Sequence, residues 1–101
     1  MNAETCLQLD KIIHERGRMG IMSLLAANPD LSFTEIKRTL EMTDGNLSVH
    51  IRTLHEADYV TVSKSFLNNR PLTTCRITTK GKRAFKTYIG LLEQIVQQSR
   101  T

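Results

Sequence analysis

"TDGNLSVHIRTL", residues 43–54, writes a helix with two unlike faces. Leu47, Ile51 and Leu54 recur at helical spacing and mark one face for a core. Gly45, Val49, Arg52 and Thr53 point away from that face, with Asn46, Ser48 and His50 on its flanks. Glycine costs roughly 1 kcal/mol relative to alanine in a helix, so Gly45 calls for a reason. The small, mostly uncharged outer face calls for a partner.

The surroundings of this helix narrow the choice. Ser32, with Glu35 three residues on, has the pattern of a capping box, and Phe33, Ile36 and Leu40 form the apolar stripe of a short helix ending near Glu41. Thr43 then caps the quoted helix through its hydroxyl. Two helices, about 33–41 and 44–57, are therefore joined by almost nothing, which is helix-turn-helix spacing. After them "YVTVSKSF", 59–66, alternates as a half-buried strand with Val60, Val62 and Phe66 on one side. "LNNRP" is a turn whose asparagines tolerate left-handed geometry. "LTTCRIT", 72–78, is a second strand with Cys75 and Ile77 on one face. Together they make a β-hairpin with a basic, polar tip.

A long helix follows, from about Thr79 to about Ser99. Its apolar residues, Ala84, Phe85, Tyr88, Ile89, Leu91, Leu92, Ile95 and Val96, span about 160° of a wheel at 3.6 residues per turn. That arc is broader than one edge of a small body needs. Upstream, residues 7–27 read as helix in two pieces with a bend between Gly17 and Gly20. Leu9, Ile12 and Ile13 anchor the first piece, and Asn28-Pro29-Asp30 stops the second.

Charge is strongly partitioned. Residues 1–58 hold six Lys/Arg against nine Asp/Glu, whereas residues 59–92 hold seven Lys/Arg and no acid. A basic half of this kind suits a polyanion. With 101 residues the chain fits one domain. It contains no apolar run of membrane-spanning length, and its N-terminus has no signal-peptide pattern, so the cytoplasm is the expected location. Cys6 and Cys75 match no metal spacing and read as ordinary reduced thiols.

"FTEIKRTLEMTDGNLSVHIRTLHEADYV" followed by "K.F...RP.T..RIT.KGKRAF" resembles the MarR/ArsR-like winged helix-turn-helix transcriptional regulators, in their short form. The resemblance covers roughly residues 9–96. It implies a mainly α fold with a small β-hairpin and long N- and C-terminal helices. It assigns the helix-turn-helix to about 33–57, the wing to about 59–78 and a C-terminal dimerisation helix to about 79–99, all in a single domain, 1–101. It implies sequence-specific binding of double-stranded DNA, with the second helix of the pair in the major groove and the wing on the backbone or in the minor groove.

Carried onto this sequence, the DNA-contacting residues are Gly45, Asn46, Ser48, Val49, His50, Arg52 and Thr53 on the helix and Lys64, Asn68, Asn69 and Arg70 on the wing. Asn46 can pair with adenine and Val49 can touch a thymine methyl, while Ser48 and Arg52 suit phosphates. Asn46 has a competing use as a helix cap, and His50 one as a packing residue. Phe85, Tyr88, Ile89, Leu92, Ile95 and Val96 would form a homodimer interface, giving a pseudo-palindromic operator. Where the family places glycine just after the second helix, this chain has Asp58.

No phosphate loop, nucleophile motif or cofactor-binding pattern is present, so no enzyme and no cofactor is expected. Neither the helix at 44–57 nor the last helix carries the ligands of metal-sensing relatives. The alternative is a winged helix that docks proteins without binding DNA.

Overall fold

Three hydroxyl side chains open three helices, each bonding the backbone N–H three residues on. Ser32 Oγ accepts from Glu35 N–H at 3.1 Å, Thr43 Oγ1 from Asn46 N–H at 3.1 Å, and Thr78 Oγ1 from Gly81 N–H at 2.9 Å. Each such cap contributes about 1 kcal/mol by satisfying a donor that the helix leaves unpaired. The computed structural model describes residues 3–100. In chain order the elements are α1 (Ala3–Leu7), α2 (Arg16–Ala27), β1 (Asp30–Ser32), α3 (Phe33–Leu40), α4 (Asp44–Glu56), β2 (Val60–Leu67), β3 (Arg70–Ile77) and α5 (Thr79–Ser99).

The helix-turn-helix is α3 and α4, and the turn between them is closed by the backbone. Glu41 takes the left-handed conformation, φ 52°, and Met42 N–H bonds the carbonyl of Lys37 at 3.0 Å. After α4, Asp58 is left-handed too, φ 63°, and Tyr59 N–H reaches back to Leu54 O at 3.0 Å. The turn that glycine usually makes is thus kept by aspartate, which enters this region more readily than most residues.

β2 and β3 form the predicted hairpin, paired from Val60↔Ile77 out to Leu67↔Arg70. Asn68 and Asn69 both have positive φ, 52° and 63°, so the ribbon is closed by a two-residue turn of the kind whose twist matches its strands. β1 joins the other edge of β3 through Asp30↔Arg76, Leu31↔Cys75 and Ser32↔Thr74, giving the order β1-β3-β2. This third strand is not apparent in the sequence, because three residues are too few for an alternating pattern.

Two expectations are corrected. The N-terminal helix is not continuous from 7 to 27, and its break lies at residues 8–15 rather than between Gly17 and Gly20. Asp10 Oδ1 holds the irregular stretch by accepting from Ile12 N–H at 2.8 Å. Glu15 then caps α2, its carboxylate accepting from the N–H groups of Gly17 and Arg18. Gly17 and Gly20 are regular helix residues that let neighbours approach. A Cβ on Gly17 would lie 2.8 Å from the His50 ring, and one on Gly20 3.2 Å from Leu40. Phe66 is also not half-buried, being 76% exposed, because β2 has by then run past the core.

Ile13, Ile21, Met22, Leu25, Ile36, Leu47, Ile51, Leu54, Val60, Cys75, Ile77 and Tyr88 are buried together. The core therefore draws on every element except α1 and β1, which lie at its margin. The ribbon and the last turns of α5 extend beyond it. The Cα radius of gyration, 15.1 Å, accordingly exceeds the roughly 13 Å of a compact chain of this length.

Candidate nucleic-acid interface

α4 is held from below by Leu47, Ile51 and Leu54, which are at most 3% exposed. Fixing that face turns Gly45, Asn46, Ser48, Val49 and Arg52 outward, and all five are exposed. A Cβ on Gly45 would meet nothing within 4 Å, so no neighbour in the fold requires glycine there. Asn46 is not needed as a cap, because Thr43 supplies that bond. Val49 is 55% exposed, an apolar side chain presented to solvent in the middle of a polar face. Asp44 pairs with Lys37 at 2.9 Å, which offsets the one acidic charge at this end of α4.

Two of the residues assigned to this face behave differently. Thr53 is half-buried, and its hydroxyl donates to Val49 O at 3.1 Å, bonding back to its own helix. His50 turns toward α2. Arg18 Nη1 lies 3.3 Å from His50 Nδ1, and His50 Nε2 lies 3.5 Å from Glu15 Oε1. Arginine only donates, so Nδ1 accepts and the ring proton sits on Nε2, facing the carboxylate. His50 is thus a packing residue that ties α4 to the start of α2, not part of the outward face.

The ribbon stands beside α4. Ser48, Arg52 and His55 of α4 and Val62, Lys64 and Thr73 of the ribbon line one cleft of about 330 Å³. Lys64 and Thr73 are cross-strand partners, so both project from the ribbon face turned to the helix. Thr73 and His55 were not among the sequence candidates. Placing them needs the hairpin register and the angle between helix and ribbon, neither of which is local in sequence. Asn68, Asn69 and Arg70 are exposed at the ribbon tip. The tip is not simply basic and polar, because Phe66 and Leu67 are exposed there at 76% and 60%.

Five of the seven basic residues of 59–92 fall into three groups, while Lys82 and Lys86 are exposed on α5. Lys64 and Arg70 belong to the ribbon. Arg76 is committed to Asp30 through two bonds, Nε–Oδ1 at 2.8 Å and Nη2–Oδ2 at 2.7 Å. The guanidinium holds the Asp30 carboxyl below the usual carboxylate range, and Arg76 is raised in return. Lys80 and Arg83 line a separate cleft of about 430 Å³ with Gln8, Asp10 and Tyr59. The Lys80 ammonium lies 5.9 Å from the Tyr59 ring centre. Tyr59 OH donates to Asp10 Oδ2, and burial, with that bond, pushes its pKa up to about 12.

Asp58 lies at the C-terminal end of α4, about 20 Å from Asp44 at a 1.5 Å rise per residue. Its charge is therefore remote from the exposed N-terminal end of the helix. On α5, Tyr88 is taken up by the chain's own core at 1% exposure, with its hydroxyl 2.8 Å from His14 Nδ1. Phe85, Ile89, Leu92 and Ile95 are half-buried and Val96 is 46% exposed. Cys75 is buried, and burial pushes its thiol up to about 11. Among the described residues, no three His, Cys, Asp or Glu side chains gather as a metal site would need, and no helix is long and apolar enough to cross a membrane.

Comparison with known proteins gives a consistent result. The family described as winged helix DNA-binding domain matches residues 18–96. An uncharacterized protein of Methanocaldococcus jannaschii is 39% identical over 85 residues, which are 84% of this chain and 92% of that protein. The solved structure of a transcriptional regulator homologue from Pyrococcus horikoshii OT3 superimposes with a TM-score of 0.87 at 28% identity, covering 98% of this chain and 96% of that one. MepR of S. aureus, solved in complex with DNA, shares the fold with a TM-score of 0.75 at 16% identity, over 97% of this chain and 81% of its own.

Proposed function

The chain belongs to the winged helix DNA-binding domain family, and from that premise we propose that it is a sequence-specific, dimeric transcriptional regulator. The MarR-like resemblance read from the sequence holds, and the family is one of DNA-binding regulators rather than enzymes. The observation that carries the reading is the cleft where Ser48 and Arg52 of α4 meet Lys64 of the ribbon. A duplex laid there takes α4 into its major groove and the ribbon along the adjacent backbone or minor groove.

In this reading Asn46 and Val49 meet base edges, Gly45 lets the helix end approach closely, and Ser48, Arg52 and Lys64 hold phosphates. Asn68, Asn69 and Arg70 at the tip complete the contact. A bidentate Asn–adenine pair is worth about 1–3 kcal/mol of discrimination. The phosphate contacts supply affinity without sequence preference.

Dimerisation rests on α5 and α1. Ile95 and Val96 lie beyond the core cluster, and Leu7 of α1 is 82% exposed. A second copy packed on Phe85, Ile89, Leu92, Ile95 and Val96 would cover this surface, with Tyr88 supporting it from beneath. Two α4 helices would then address half-sites about 34 Å apart, one turn of DNA, so the operator is a rough palindrome. The protein acts as one domain in the cytoplasm.

Fluorescence anisotropy of a labelled duplex, selected from a random library by the protein itself, tests this reading. Affinity should fall with salt at a log–log slope of about −4 or steeper, given about 0.9 per neutralised phosphate. Absence of any selected duplex, even at low salt, would overturn it.

A further inference from the structure

The ribbon tip has a chemistry that backbone binding does not require. Phe66 and Leu67 are 76% and 60% exposed, and they sit opposite Pro71 and Arg70. None of the four packs on the core, whose last contact along β2 is Val62. Single exposed apolar residues are ordinary. Two in succession at the end of a projecting ribbon, Phe66 beside Pro71 on one face and Leu67 on the other, are exposed in a way that the fold does not explain. We propose that the tip is an apolar wedge. Phe66, with Pro71 beside it on the same face, enters the DNA minor groove beside the major groove occupied by α4 and unstacks a base step there. This rests on the DNA-binding reading above and extends it.

Three observations place the wedge. Side chains alternate along a strand, so Val60, Val62, Lys64 and Phe66 share one face of the ribbon. Lys64 on that face already lines the cleft with Ser48 and Arg52. A duplex in the cleft therefore meets Phe66 next as it runs outward. Second, β1 pairs no further along β3 than Thr74. From there to Pro71, the partner of Phe66, is three residues, about 10 Å at about 3.4 Å per residue, and to the turn at Asn69 five residues, about 17 Å. Half a turn of DNA, the offset from a major groove to the next minor groove, is also about 17 Å, so the turn reaches that groove with Phe66 on the approach to it. Third, the groups around the wedge suit that groove. Wedges of Phe or Leu are set among Arg and Asn side chains that read its acceptors, and here Asn68 and Asn69 form the turn with Arg70 beside it as the first residue of β3.

A protein pocket is the competing occupant. Lys64 and Arg70 form no ion pair among the described residues, and residues 59–92 contain no acid. A minor groove pairs both cations with phosphates or base acceptors while burying the apolar tip.

The test uses the full chain and a duplex it has selected, with 2-aminopurine placed in turn at each step flanking the half-sites. Wild type should raise 2-aminopurine fluorescence at one step per half-site. Phe66→Ala should abolish the rise and weaken binding about tenfold, equivalent to about 1.4 kcal/mol, while leaving the salt slope and the unfolding midpoint unchanged. Phe66→Leu should keep most of the rise. Arg70→Ala should keep the rise but reduce the salt slope by about 1. Wild type that binds with no rise at any position overturns the wedge while the DNA-binding reading stands. A rise that survives Phe66→Ala does the same. If no duplex is selected, both readings fall, and the tip is left as a protein-docking surface.

Discussion

Replacing Gly45 by alanine separates what the fold needs from what the DNA contact needs. The added methyl meets nothing within 4 Å, so there is no clash to offset the gain in helix propensity. In a helix interior that gain approaches about 1 kcal/mol. Gly45 is in the first turn, so about 0.5 kcal/mol is the reasonable figure, equivalent to a rise of about 2–4 °C in Tm for a domain of this size. In the proposed complex the same methyl would lie between the slim end of α4 and the groove floor. Overpacking a fitted contact costs about 1–3 kcal/mol, which weakens binding by about 5- to 150-fold. Thermal unfolding by circular dichroism and anisotropy on a selected duplex measure the two effects on one protein. A raised Tm with unchanged affinity would refute the close approach of this helix end. A lowered Tm would show that the fold itself requires Gly45.

Gly81→Ala should behave in the opposite way. Its Cβ would lie 2.2 Å from the Tyr59 carbonyl oxygen and 3.0 Å from Ile77 Cγ1. A loss of at least about 1–3 kcal/mol is expected, read as a lower urea midpoint. Alkaline pH should destabilise the protein, because the thiol of Cys75 and the phenols of Tyr59 and Tyr88 all titrate higher in the fold than in the unfolded chain. The folded state then holds these protons more tightly, so their contribution is full below the ordinary values, 9.0 for the thiol and 10.0 for tyrosine. It is lost as pH rises through about 11 for Cys75 and about 12 for Tyr59. Urea midpoints measured at increasing alkaline pH should fall, and Tyr59→Phe should make the fall shallower. A midpoint flat across this range would refute the assignment.

Much of this architecture is written locally. The caps at Ser32, Thr43 and Thr78, the paired asparagines of the hairpin turn and the 3.6-residue stripes of α3, α4 and α5 each act within a few residues. Their bounds can therefore be read from the sequence. The features that escaped are long-range. β1 exists because Asp30, Leu31 and Ser32 meet residues 74–76, and Arg76 is spent on Asp30 rather than on a polyanion for the same reason. His50 looks like a flank residue on a wheel, yet the absent side chain of Gly17 opens the space it fills. Tyr88 reads as part of an outward apolar arc, but His14, brought in by the irregular stretch, and Met19 draw it inward.

The glycines make the same point in energetic terms. By composition Gly17, Gly20, Gly45, Gly81 and Gly90 are alike, five residues that each weaken a helix. The structure divides them by what stands opposite the missing Cβ. His50, Leu40 and the Tyr59 carbonyl account for three, and each of those contacts holds one helix against another part of the fold. Gly45 and Gly90 face open space, Gly90 on α5 and Gly45 on the most exposed stretch of the helix proposed to meet DNA. A residue kept at an energetic cost with no partner in its own chain points to a partner outside it. The surface beside Gly45, with Arg52 and Lys64 converging on one cleft and Asp44 paired with Lys37, fits a polyanion, although the exposed Glu41 lies just ahead of α4. Phe66 at the ribbon tip then falls on the same face as Lys64, where one duplex can engage helix, cleft and tip together.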